Sequence, residues 1–203
     1  MRDQYDLVIP RSTPPGRYWL TAGLFDREDN ERLPATTGDG RPVDSAVRLT
    51  PLVVKPSSPL PAPTSPASAE WAGVGRLTGF DLPGSSAAAF EDCRAISSGC
   101  DETVVLHWQA TATPTEDLSV FLHLRDESGR IVLQADGPPR LGRQPTSVWS
   151  PGDQLLDPRP LPGLRALRPG RYQLVVGWYR PSDGGRLPVG GQDAAVVGEY
   201  VAR

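Results

Sequence analysis

Residues 167–188 read "LRPGRYQLVVGWYRPSDGGRLP", and residues 13–34 have already read "TPPGRYWLTAGLFDREDNERLP". Aligned without gaps, residues 15–34 and 169–188 agree at ten of twenty positions, which chance does not produce. The chain therefore contains an internal duplication. In each copy Pro-Gly sets a turn, and the residues that follow alternate as a strand does. Tyr172, Leu174, Val176 and Trp178 point to one side, matched in the first copy by Tyr18, Leu20, Ala22 and Leu24, so one face is apolar in both. That face is the expected core. Trp178 replaces Leu24, which favours core filling over ligand contact, whereas Tyr179 and Phe25 keep an aromatic on the opposite face.

Outward from the second copy, further short strands are expected at residues 75–82, 102–110, 118–126, 130–136, 153–161 and 194–202, separated by turn signals such as "TPTED", "DESG" and "SPGD". No stretch sustains a helical period. The pattern predicts an all-β protein, an antiparallel immunoglobulin-like or Greek-key β-sandwich. Upstream of the first copy there is only "YDLVIP", giving one strand near residues 5–9. The expected organisation is a partial module at 1–54 holding only C-terminal strands, a Pro/Ser-rich linker at 55–70, and a complete module at 71–203. Tyr172 and Tyr18, each just after Pro-Gly, are candidates for the structural tyrosine corner of such sandwiches, whose hydroxyl anchors nearby backbone.

Composition narrows the function. The net charge of −3 gives no electrostatic case for nucleic acid, and Lys55 is the only lysine, leaving little scope for Schiff-base chemistry. No apolar run approaches the length of about 18 residues that spans a bilayer, and the first residues lack the charged and apolar regions of a signal peptide, so no membrane insertion by this chain is expected. Neither a nucleophile elbow, a phosphate loop nor a zinc-protease motif is present. Glu91, Asp92, Asp101 and Glu102 are carboxylates that a fold could pair for glycoside hydrolysis, but their nearness in sequence does not give the required separation. The acidic turn "DREDNERLP" lacks the spacing of a calcium loop, and its second copy has lost the charge. No cofactor and no metal site are expected.

Cys93 and Cys100 are candidates for a disulfide closing a short loop, a bond that would persist outside the cytoplasm; two free thiols or half a metal site are the alternatives. His107 and His123 lie on strands expected to form a hairpin across "TATPTED", at near-opposite positions on one face. A hydrogen-bonded pair is the plainer reading, a shared ligand the sharper one. Trp149 in "TSVWSPG" and Tyr179 are candidate platforms for stacking on a sugar ring, with Trp108 and Trp71 behind them. Packing in the core is the competing role for each.

The "HWQA" strand, the "VFLHLRD" hairpin, "PTSVWSPGD" and "PGRYQLVVGWY" together carry a family resemblance. Residues 75–201, with the partial copy at 5–55, resemble the soluble β-sandwich modules towards the C-terminus of bacterial family 39, mannosyltransferase-like membrane proteins, especially of Chloroflexota. "FEDCRAISSGC" departs from those modules, which have a shorter turn without cysteines. The resemblance implies that transfer chemistry belongs to a membrane-embedded part with acidic residues, so this chain is expected not to be an enzyme. It is expected to be an extracytoplasmic accessory or structural module of a larger surface or membrane protein. The alternative is a carbohydrate-binding module, with glycoside-active chemistry last. Expected partners are a glycan, a neighbouring module of the same protein, or a second chain in a strand-exchanged homodimer.

Overall fold

The computed structural model describes residues 6–10, 12–13, 15–43, 45–55, 59–84 and 102–203. Cys93 and Cys100 lie outside the described residues, as do Glu91, Asp92 and Asp101. The chain divides into two compact units, residues 1–55 and 56–203. Every sheet is antiparallel, and the larger unit is a two-sheet β-sandwich.

In the first unit, β1 (Gly16–Ala22) pairs with β4 (Val47–Val54), and the connection between them carries a two-residue ladder of β2 (Ala35–Thr36) and β3 (Pro42–Val43). Residues 6–10 form no strand, contrary to the expectation for that segment. The segment runs into Pro10, which has no backbone N–H to give to a ladder.

The second unit has β5 (Ser65–Trp71), β6 (Gly75–Asp81), β7 (Thr103–Ala110) and β10 (Gln154–Pro160) in one sheet, ordered β10-β7-β6-β5. The other sheet, ordered β12-β11-β8-β9, contains β8 (Ser119–Arg125), β9 (Ile131–Gly137), β11 (Gly170–Tyr179) and β12 (Ala195–Ala202). Strand β10 returns beside β7, and β11 beside β8, so the connections are Greek keys thrown across both sheets. The stretch expected to be linker is thus strand over Ser65–Trp71. Its small residues alternate half-buried and exposed up to a buried Trp71, and Pro66 is tolerated because β5 is an edge.

The core lies between these sheets. Leu106 and Trp108 of β7, Leu122 and Leu124 of β8, and Leu174, Val176 and Trp178 of β11 are buried there, as the alternation predicts. Four tryptophans run through it edge to face: Trp71 against Trp108 at 5.6 Å, Trp108 against Trp178 at 4.9 Å, and Trp178 against Trp149 at 5.5 Å. Offset and T-shaped arrangements favour the quadrupoles of such rings beyond their buried area.

The duplication survives in structural detail. Strand β11 pairs with β12 as β1 pairs with β4, and both ladders slip at the same place, between Leu20 and Thr21 and between Leu174 and Val175. Phe25 bridges Arg32 as Tyr179 bridges Arg186. In the turns, the Glu31 amide donates to Asp29 Oδ1 at 2.8 Å and the Gly185 amide donates to Asp183 Oδ1 at 2.8 Å. Asn30 and Gly184 both take positive φ, 59° and 72°, a conformation open to asparagine and glycine.

Candidate functional site

The tryptophan platforms are not platforms. Trp108 and Trp149 are each 1% exposed and packed in the core, so neither offers a ring face to a sugar. Trp149 is drawn in by its own loop. Its indole Nε1–H donates to the Gln144 carbonyl at 3.0 Å, and its carbonyl accepts from the Thr113 hydroxyl at 2.7 Å. Thr146, fully buried, ties the same loop to the start of β8 by donating to the Glu116 carbonyl and accepting from the Leu118 amide, both at 2.9 Å. Tyr179 alone of the three remains half-buried, at the outer end of β11.

Tyr172 takes the corner role: it is buried, and its hydroxyl donates to the Arg168 carbonyl at 2.9 Å, pinning the turn that launches β11. Tyr18, its counterpart, is 38% exposed.

The histidines do not meet. Strand β7 pairs with β6 and β10, while β8 pairs with β9 and β11, so the "TATPTED" connection crosses between sheets and closes no hairpin. His107 and His123 therefore sit on opposite outer faces, since their neighbours Leu106, Trp108, Leu122 and Leu124 fill the core. A shared ligand is ruled out by that placement.

His107 Nε2 lies 2.8 Å from Asp81 Oδ2, both side chains being buried. Asp81 Oδ1 also accepts from the Thr64 amide at 2.7 Å and the Thr64 hydroxyl at 2.8 Å. Burial pushes the Asp81 carboxyl up, but these donors, with His107, outweigh it and hold the group below its ordinary value. The arrangement clamps residues 60–64 over the outer face of the sheet, where Leu60 packs on Val105 and Leu156. A pocket of about 280 Å³ opens beside Pro61, Pro63, His107 and Gln154. Among the described residues Asp81 is the ring's only hydrogen-bond partner.

On the other face, His123 Nε2 stands 3.4 Å from Asp136 Oδ1, and its ring lies 4.7 Å from that of Phe121. Its Nδ1 is buried without a hydrogen-bond partner. Burial lowers the His123 pKa, opposed by Asp136 and reinforced by Arg186 and Arg125. Arg186 places its guanidinium 4.5 Å from the centroid of the Phe121 ring.

A third polar cluster lies at inward positions of β10, where Asp157 and Arg159 pair at 2.6 Å with almost no exposure. Asp157 also accepts from the Arg140 amide at 2.8 Å and from Trp108 Nε1 at 3.4 Å, while Arg159 Nη1 donates to the Gly137 carbonyl at 3.0 Å. These contacts hold Arg140 and Leu141 in the left-handed region, at φ of 50° and 54°. Such strain persists only where the surroundings enforce it. The saturated partners make this pair an internal clasp rather than a site open to substrate.

Glu102, the one carboxylate of the hydrolytic candidates that is described, caps a single 3-10 turn: it accepts from the Gly163 amide at 3.1 Å and the Arg165 amide at 3.0 Å. Those donors lower its pKa, the reverse of what a general acid needs. Among the described residues no group of three or more His, Cys, Asp or Glu side chains could hold a metal ion, and no helix is long and apolar enough to cross a membrane. Comparison with known proteins found no matching family model, curated relative or solved structure.

Sequence reading missed Asp81, Asp157, Arg159 and the pairing of Arg186 with Phe121. For β10 a signal was present, because "DPR" puts both charges on the parity of Leu155, the core side. The Asp81–His107 pair joins residues 26 apart on strands whose pairing had first to be known.

Proposed function

We propose that this chain is a non-catalytic, extracytoplasmic accessory module, a repeated β-sandwich unit that spaces or supports a larger surface or membrane protein. The observation that carries the reading is the duplication itself: the same hairpin, ladder slip and turn hydrogen bonds occur twice in one chain. Selection on repetition of shape, with the turn charge free to change, suits a structural part. The polar clusters support it too, since His107, Asp81, Asp157 and Arg159 are each hydrogen-bonded within the fold. Placement outside the cytoplasm, in a protein of the family 39, mannosyltransferase-like type, rests on the resemblance of its motifs.

A glycan-binding role is the weaker reading, because of its three aromatic candidates only Tyr179 is not in the core. Two experiments test the proposal. Calorimetric titration of the full chain against a broad glycan panel is expected to give no heat of binding; saturable binding abolished by Tyr179→Ala would replace the structural reading with the carbohydrate one. Sequencing the coding DNA on both sides is expected to show further modules and hydrophobic spans in frame, whereas an isolated gene would remove the larger protein that the proposal requires.

A further inference from the structure

Within the second unit the chain reaches β5 by crossing the sheet that β5 joins. Leu60 packs on Val105 of β7 and Leu156 of β10, apart from the main core. Pro63 lies on β6 so closely that a Cβ at Gly79 would stand 2.5 Å from its Cβ and Cγ. Thr64 donates through its amide and its hydroxyl to Asp81 at the end of β6, and Asp81 is bound in turn to His107 of β7. The sheet is ordered β10-β7-β6-β5, so residues 60–64 pass over its outer face from one edge towards the other. An extended stretch of that length spans about 14 Å, and neighbouring strands lie about 4.8 Å apart, so the reach suffices. Proline at 59, 61 and 63 keeps the stretch extended and leaves it no amide to satisfy at those positions.

Strand β5 has little hold of its own against a pull from its start. It is an edge strand with one ladder, to β6, and that ladder is interrupted between Pro66 and Ala69, close to the end that tension would reach first. A hairpin pulled from its open end separates one pair at a time. Residues 60–64 stand ahead of that end, and their three attachments differ in kind. Leu60 is held by apolar contact, Pro63 by fit against a glycine, and Thr64 by hydrogen bonds to a carboxylate that is 1% exposed. Bonds to a charged group are among the stronger ones, and at that exposure water does not compete for it.

We infer that residues 60–64 are a load-bearing belt: tension on the chain ahead of the second unit is taken up by β10, β7 and β6, and the edge strand β5 is not loaded until those attachments have gone. The inference deepens the structural reading and rests on it for the source of the tension.

The test is constant-force single-molecule pulling between residues 59 and 127 of the full chain, the second handle being an exposed position in the turn between β8 and β9. In the wild type residues 60–71 are expected to leave together, as one lengthening of about 4 nm. Thr64→Val keeps the shape of the side chain and removes its bond to Asp81; the waiting time before that step should shorten about tenfold or more. Adding Leu60→Ala should shorten it about threefold again. Both changes lie outside the strand ladders, so the waiting time for the rest of the unit should stay as it was. The inference is overturned by an unchanged waiting time in both variants. It is equally overturned if wild-type residues 60–64 leave first, in a step of about 2 nm, and β5 then holds for longer. The instrument supplies the tension, so either failure removes the belt and leaves the structural reading standing. Saturable glycan binding in the panel described above would remove that reading and leave the belt.

Discussion

The hairpins β1–β4 and β11–β12 share their register, their ladder slip and their turn, yet one is lined by buried residues and the other by exposed ones. Trp178 is fully buried while Leu24, at the equivalent position, is 74% exposed. Local sequence is therefore enough to set the hairpin: Pro-Gly at the start, an Asp-capped turn at the tip, and alternation between. Burial is decided elsewhere, in the second unit by the sheet that packs on the apolar face and by β8 beside β11. A two-stranded hairpin is marginal without such cover. The two copies are one hairpin in two settings.

The strongest way to break this comparison is to truncate the equivalent core positions. Trp178→Ala removes the ring that touches both Trp108 and Trp149, and is expected to destabilise the second unit by about 3–5 kcal/mol in a denaturant titration. Leu24→Ala should stay within about 0.5 kcal/mol, as exposed sites do. Equal losses would mean that the first hairpin is already covered in solution.

A smaller effect is expected at the corner. Tyr172→Phe deletes the hydroxyl bond to the Arg168 carbonyl and should cost about 1 kcal/mol, read as a lowered midpoint in the same titration. A neutral result would leave the Pro-Gly turn to hold β11 without help.

The smallest effect separates the copies by pH. Both histidines of the chain, His107 and His123, belong to the second unit. Burial holds the folded His123 pKa below the ordinary 6.5, so the unfolded chain takes up the proton first as pH falls. This contribution to stability is complete above about 6.5 and is lost as pH descends to the lower folded value. His123→Gln should flatten that part of the pH profile of thermal unfolding. A profile steepened by the substitution would reverse the sign assigned to burial.

Much of this fold was legible in residues. Seven strands of the complete module, the duplication and the Tyr172 corner follow from alternation and from Pro-Gly. Strand β5 was hidden because proline and serine read as linker, although Ser65, Ala67, Ala69 and Trp71 alternate with period two. The partnering of β7 was misread because nearness in sequence suggests a hairpin, while Greek-key connections pair strands distant in the chain. Stacking and core packing both stayed open for Trp149 because nothing in "TSVWSPG" reveals that Thr146 and Gln144 fold its loop inward.

The central claim is that one hairpin is built twice in this chain and deeply buried in one copy alone. Residue-resolved amide hydrogen exchange on the full chain tests it most directly. The account predicts slow exchange along β11, buried and paired with β8 and β12, and faster exchange along β1, whose residues are mostly exposed. Equal protection of β1 and β11 would contradict it.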